Sequence, residues 1–202
     1  MRTAVDVIRR IVSANNLPFL SFDVYQPKGW HDGTIKHFKD EKKPGQRRNP
    51  KNAVEHSGPS GPVTLRHEQI LEDDLNQIMT DLPADSALQV ISPTILDTKV
   101  VHIPMLDIEL PPNEENLSYL ISCLRALGEK EGAILLSGAS YHYYGYNLMT
   151  PDQWQKFMYK SLLLDEVVDT RWIGHRLLDG IALLRITPKS GYDFSPYVVA
   201  EI

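Results

Sequence analysis

The stretch Val100-Val101-His102-Ile103-Pro104-Met105-Leu106-Asp107-Ile108-Glu109-Leu110 constrains the fold of this chain more than any other. An apolar run of this length must be covered by other elements. The two-residue alternation of a strand then turns Asp107 and Glu109 toward one side of the sheet. Two carboxylates on one face repel, and burying them raises a pKa or destabilises the fold unless a cation lies between them. A hard divalent cation suits such a pair, because Mg2+ takes carboxylate oxygens and keeps positions for water and substrate phosphates. An edge strand with a solvated face also reads apolar-acid-apolar-acid, so the pair alone leaves both readings open.

The rest of the chain narrows the class. Its 202 residues suffice for a real core without staples. The single cysteine, Cys123, excludes an intramolecular disulfide and a clip of several thiolates, and its helical apolar setting makes it a core residue. No apolar run reaches the length of a membrane span, and Met1-Arg2-Thr3-Ala4-Val5-Asp6 lacks the apolar core of a signal peptide, so a soluble cytosolic protein is expected. The net charge of -5 argues against indiscriminate coating of nucleic acid. That charge is unevenly spread, however. Residues 28–51 carry Lys36, Lys39, Lys42, Lys43, Arg47 and Arg48 among Trp30, His31, His37 and Phe38. Such a mixture grips a phosphate backbone and stacks on bases, or is a solvated insertion.

Periodicity predicts a helix over residues 3–15, with Val5, Ile8, Ile11 and Val12 on its buried face, and a strand over 17–25. Residues 26–62 read as a long loop rich in Pro, Gly, Lys and Arg. A helix over 68–82 follows, then strands over 86–92 and 99–110. Asn113 is placed to cap a helix over 113–128, with Leu117, Leu120, Ile121, Leu124 and Leu127 as its stripe. A short strand at 133–137 leads into a turn spanning 138–146. Thr150-Pro151-Asp152-Gln153 is a helix start with a hydroxyl cap, proline at the first position and a capping-box glutamine. Strands over 181–187 and 197–200 close the chain. The order suits an α/β or α+β layer, with an N-terminal lobe over 1–98 and a second over 99–202 packed as one unit.

Chemistry-bearing residues collect in the second half. His142 follows a strand and a Ser-Gly pair, where an imidazole can bond a phosphate or sugar hydroxyl while neighbouring acids hold metal, or simply sit half-buried among tyrosines. Ser137, Gly138 and Ser140 let backbone amides approach an anion. Asp169 ends an apolar run, as a third acid or a helix cap. Arg171, His175, Arg176, Arg185 and Lys189 supply positive charge for a triphosphate or for surface ion pairs.

In sequence order, Leu106-Asp107-Ile108-Glu109, Ser140-Tyr141-His142 preceded by Ser137-Gly138, and Val168-Asp169 resemble the three motifs of the archaeo-eukaryotic primase superfamily, the primase-polymerases. Leu183-Leu184-Arg185-Ile186-Thr187-Pro188-Lys189-Ser190-Gly191 is similar to the segment that gives primase catalytic subunits a basic residue for the incoming triphosphate. The resemblance covers about residues 100 to 195. It implies a two-lobed core with an RRM-like sheet in the C-terminal lobe and an active site between the lobes. Asp107, Glu109 and Asp169 are then ligands of Mg2+ or Mn2+, and Ser137, Ser140, His142, Arg176, Arg185 and Lys189 contact the nucleotide. The implied partners are a nucleic-acid template, nucleoside triphosphates and an accessory replication or repair protein. The implied activity is nucleotidyl transfer; a nucleic-acid-binding module without catalysis, and a metal-dependent nuclease or phosphotransferase, are the alternatives. The sequence departs from the family pattern where Glu109 replaces a second Asp and where Tyr141 stands in place of a flexible residue. Asp179 competes with Asp169 for the third position, and one cysteine cannot build the zinc or iron-sulfur elements of many primases.

Overall fold

The computed structural model describes residues 1–25, 62–83, 86–188 and 192–202. Among the described residues two four-stranded sheets, a two-stranded hairpin and six helices make an α+β fold. Helix α1 (Ala4–Ala14) opens on a reciprocal cap in which the Thr3 amide donates to Asp6 Oδ2 at 2.7 Å, and it buries Val5, Ile8, Ile11 and Val12 as its spacing predicts. The first sheet has the order β2 (Pro62–Arg66), β1 (Phe19–Tyr25), β3 (Ala87–Ile91), β9 (Leu183–Arg185), all antiparallel. Its last strand comes from far along the chain. The second sheet runs β10 (Tyr197–Glu201), β7 (Gly132–Leu136), β8 (Tyr141–Gly145), β6 (Met105–Asp107). Among the described residues no helix is long and apolar enough to cross a membrane.

Several elements differ from their sequence expectation for identifiable reasons. The run over 99–110 is two strands, because Ile103-Pro104 interrupts it: β5 (Lys99–His102) pairs with β4 (Pro93–Leu96), and only β6 enters the second sheet. Proline has no N–H to give a ladder. The β4–β5 turn places Asp97 and Thr98 at φ +47° and +65°, the primed hairpin geometry, without the glycine that would announce it. The helix over 68–82 breaks at Glu72-Asp73 into α2 (His67–Leu71) and α3 (Asp74–Thr80). Residues 141–145, expected within a turn, are strand β8, because consecutive aromatic side chains favour a buried pleated surface over a loop. Helix α4 (Glu114–Leu127) has its expected cap, Asn113 Oδ1 accepting from the Asn116 amide at 2.8 Å, and ends at Gly128 with φ +100°. Helix α5 (Pro151–Ser161) has the full Thr150–Gln153 box. Helix α6 (Thr170–Asp179) was not legible as a helix. Cys123 is buried on α4 as expected.

The junction of β5 and β6 carries a pH-sensitive group. His102 is buried, stacks on Trp154 with centroids 4.5 Å apart, and places Nδ1 3.3 Å from Ser92 Oγ. Burial holds its pKa down at about 4. An unfolded histidine titrates near 6.5, so between these values the unfolded chain binds a proton that the folded chain refuses. This contribution to stability is complete above pH 6.5 and is lost as pH falls toward 4, by about 2 kcal/mol after discounting for solvent screening. Thermal melts at pH 7.5 and 4.5 should show that loss, and His102→Phe should flatten it.

Candidate functional site

Three motif residues meet through strand register. Asp107 on β6 is the cross-strand partner of His142 on β8, and His142 Nε2 lies 3.8 Å from Asp107 Oδ1. On the other side of β6 an isolated bridge joins Ile108 to Val168, with the Glu109 amide donating to Val167 O at 2.8 Å and the Asp169 amide to Asp107 O at 3.0 Å. This register sets Asp169 opposite Asp107. Directly paired residues of antiparallel segments share a face, so His142, Asp107 and Asp169 form a row across three adjacent segments. The His142 side chain is 7% exposed and that of Asp107 32%, so a ligand reaches the row at the carboxylate.

Asp169 serves two ends. Its Oδ1 accepts from the Trp172 amide at 2.8 Å and starts α6, while Trp172 Nε1 donates to Leu183 O at 3.2 Å and ties that helix to β9. The two sequence readings of Asp169, cap and third acid, are therefore compatible. Asp169→Ala should destabilise the protein by about 1 kcal/mol through the lost cap, whereas Asp169→Ser should retain most of it; chemical denaturation separates them.

The first sheet brings a cation within electrostatic reach of Asp107. Asp23, Gln89 and Arg185 are in register on β1, β3 and β9, and Gln89 Nε2 donates to Asp23 Oδ2 at 2.8 Å. Arg185 is buried and crosses to the second sheet, donating to Ser137 O at 2.7 Å and also to Thr187 O. Burial lowers its pKa, and the acidic groups of Tyr25, Tyr144, Asp107 and Tyr192 oppose that shift. An arginine so placed keeps its charge. Two of its five donors serve backbone carbonyls, which fixes the guanidinium and leaves N–H groups for a ligand. Burial raises the pKa of Tyr25, against the pull of Arg185, and also that of Tyr144. The Tyr144 hydroxyl is buried with no hydrogen-bond partner among the described residues.

Sequence reasoning missed Asp23, Tyr25, Gln89, Tyr144 and Tyr192. One signal was present: in β1, Ser21, Asp23 and Tyr25 alternate with Leu20, Phe22 and Val24, marking a strand with one polar face.

The remaining expected residues are placed as follows. Glu109 is exposed just past β6, two residues from Asp107. Ser137 and Ser140 close the β7–β8 turn, the Ser137 amide donating to Ser140 O at 3.0 Å, so that amide is committed to the hairpin rather than offered to an anion. Arg176 is buried on α6 with Nη2 3.3 Å from Asp179 Oδ2; burial lowers its pKa and Asp179 opposes the shift. Asp179 is thereby at the far end of α6 from Asp169. Lys36, Lys39, Lys42, Lys43, Arg47, Arg48 and Lys189 lie outside the described residues.

A family model described as AEP-like, archaeo-eukaryotic primase 1D-like, matches residues 66–195. The chain belongs to this archaeo-eukaryotic primase family. No curated protein and no solved structure matches it. The part of the chain that matches the primase family contains β6, β8, the Ile108–Val168 bridge and β9, hence Asp107, His142, Asp169 and Arg185. Primase-polymerase kinship agrees with the order in which these residues occur.

Whether the residues fit a divalent ion follows from their donors. Among the described residues no three His, Cys, Asp or Glu side chains gather into a ready-made cage. Mg2+ at phosphoryl-transfer sites needs no such cage, because one or two carboxylates suffice when substrate phosphates and waters complete the octahedron. Asp107 and Asp169, register partners on one face, provide that minimal set.

Proposed function

We propose that this primase-family protein is a metal-dependent nucleotidyltransferase that extends a nucleic-acid strand from nucleoside triphosphates on a template. The observation that supports it best is the row of His142, Asp107 and Asp169, with Arg185 within electrostatic reach of Asp107. Carboxylates and a guanidinium so placed suit an anion bound with its counter-cation. In this reading Asp107 and Asp169 hold Mg2+ or Mn2+, and Glu109 reaches in from the rim. An ion held by these carboxylates would supply neutralisation of phosphate charge and lower the pKa of a hydroxyl bound to it. His142 donates to a phosphate or sugar oxygen, with Asp107 orienting its ring through the 3.8 Å contact. Arg185 stabilises charge that grows on the triphosphate, at a position already fixed by the Ser137 and Thr187 carbonyls. The composition of residues 28–51, rich in Lys and Arg, suits phosphate contacts to a template.

The test is incorporation of labelled nucleotides on primed and unprimed templates with Mg2+ or Mn2+. Extension or dinucleotide formation is expected from the wild type, abolished in Asp169→Ser although the cap survives. No product on any template contradicts the proposal. A second reading is nucleic-acid binding without transfer. It requires salt-sensitive oligonucleotide binding that survives Asp107→Ala with no synthesis by the wild type.

A further inference from the structure

We propose that the outer face of α5 and the groove beside it dock an acidic, amphipathic segment of a partner protein. The groove, about 410 Å3, lies between the end of α4, the loop before α5 and α5 itself. Leu127, Leu148 and Phe157 form its floor, and Lys130, Lys156 and Lys160 form its rim. All three lysines are exposed, and none makes a salt bridge among the described residues. The one acid lining the groove, Glu129, is buried and accepts from the Tyr143 hydroxyl, so in a chain of net charge -5 the three lysines leave a local excess of positive charge, with Asp152 the one acid of the neighbouring concavity.

The same helix and the turn that follows it expose apolar surface that folding leaves uncovered. Tyr159 is 56% exposed and Leu163 81%, one turn apart, lining a second concavity that shares Lys156 and Lys160 with the first. Leu163 is among the most exposed of the large apolar side chains, which marks an interaction surface when it adjoins others. Charge complementarity selects carboxylates for the rim, and the aliphatic floor selects apolar anchors between them, the pattern of an amphipathic helix laid in a groove. Nucleic acid fits less well: Tyr159 is the one exposed ring among the lining residues, a single stacking platform, while Phe157 is buried and Leu127, Leu148 and Leu163 offer none. The surface is also separate from the proposed chemistry. It adjoins the Gly145 end of β8, three residues from His142 and so about 10 Å along the strand. The inference does not depend on nucleotide transfer at Asp107 and Asp169.

The experiment uses the full chain and a fluorescein-labelled synthetic peptide rich in Glu and Asp, with Leu and Phe at i, i+3, i+4 and i+7. A peptide of the same composition in scrambled order and an oligothymidylate serve as comparisons. Anisotropy should show salt-dependent peptide binding that weakens at least tenfold in Lys156→Glu/Lys160→Glu and in Tyr159→Ser/Leu163→Ser. Only the lysine variant should lose the salt dependence. Carbodiimide coupling should join peptide carboxylates to Lys130, Lys156 or Lys160 on peptide mapping. All four substituted residues are exposed, so both variants should melt with the wild type. Absence of peptide binding, equal binding of the scrambled peptide, unchanged affinity in both variants or coupling at other lysines overturns the proposal. So does an oligothymidylate whose affinity, in place of the peptide's, falls with the lysine variant.

Discussion

Asp107→Asn is expected to lower template-directed nucleotide incorporation by about a thousandfold and to leave the fold intact. The substitution keeps the side-chain volume and removes the charge that faces Asp169, His142 and Arg185. Its structural effect is small because opposing terms nearly cancel. Asp107 and Asp169 repel across the bridge, a contribution of about 0.2–1 kcal/mol in the unliganded protein, while the His142 contact and the field of Arg185 favour the carboxylate. A net change below about 1 kcal/mol moves the melting temperature by no more than about 4 °C in a chain of this length. The rate effect is large because only the bound, charged state needs the second carboxylate. Steady-state incorporation assays with a parallel thermal melt check both halves: retained activity contradicts the role assigned to Asp107, and a collapsed melt shows that its part is structural.

Arg185→Leu is expected to reduce stability by about 3 kcal/mol, seen as a fall of about 6–12 °C in melting temperature. The guanidinium joins the two sheets, since Arg185 sits on β9 of the first and donates to Ser137 O at the tip of the β7–β8 hairpin of the second. Leucine leaves the Ser137 and Thr187 carbonyls without this donor and Asp107 without a nearby cation. Arg185→Lys should recover little, because one ammonium cannot reproduce the fork that reaches two carbonyls. Triphosphate affinity, measured by calorimetry, should fall at least tenfold in Arg185→Lys. An unchanged melting temperature in Arg185→Leu contradicts the bridging role.

Local chemistry was legible where one short segment decides the outcome. Thr150-Pro151-Asp152-Gln153 specifies a helix start in four residues, and Asn113 with Gly128 brackets α4, because capping bonds close within a turn of the chain. The apolar stripe of α1 was equally plain. What was not legible depends on distant partners. Nothing in Leu183-Leu184-Arg185 says that it joins a sheet begun by residues 19–25, yet that pairing carries Arg185 to within electrostatic reach of Asp107. The aromatic run Tyr141-His142-Tyr143-Tyr144 has small residues before it and glycine after it, which reads as a turn; its burial on both faces makes it a central strand. Asp107 and Glu109 were paired by spacing within one segment. The structure instead gives Asp107 its neighbours from other segments, His142 on one side and Asp169 on the other. The order of the motifs along the chain was the signal that survived, since order does not require knowing the register.

The most direct measurement of the central claim is the anomalous-scattering map of a crystal soaked with Mn2+ and a nucleoside triphosphate. The predicted result is a manganese peak coordinated by Asp107 and Asp169, with triphosphate oxygens between it and Arg185. A triphosphate bound elsewhere, or Asp107 and Asp169 free of manganese while the ion binds at other carboxylates, contradicts it.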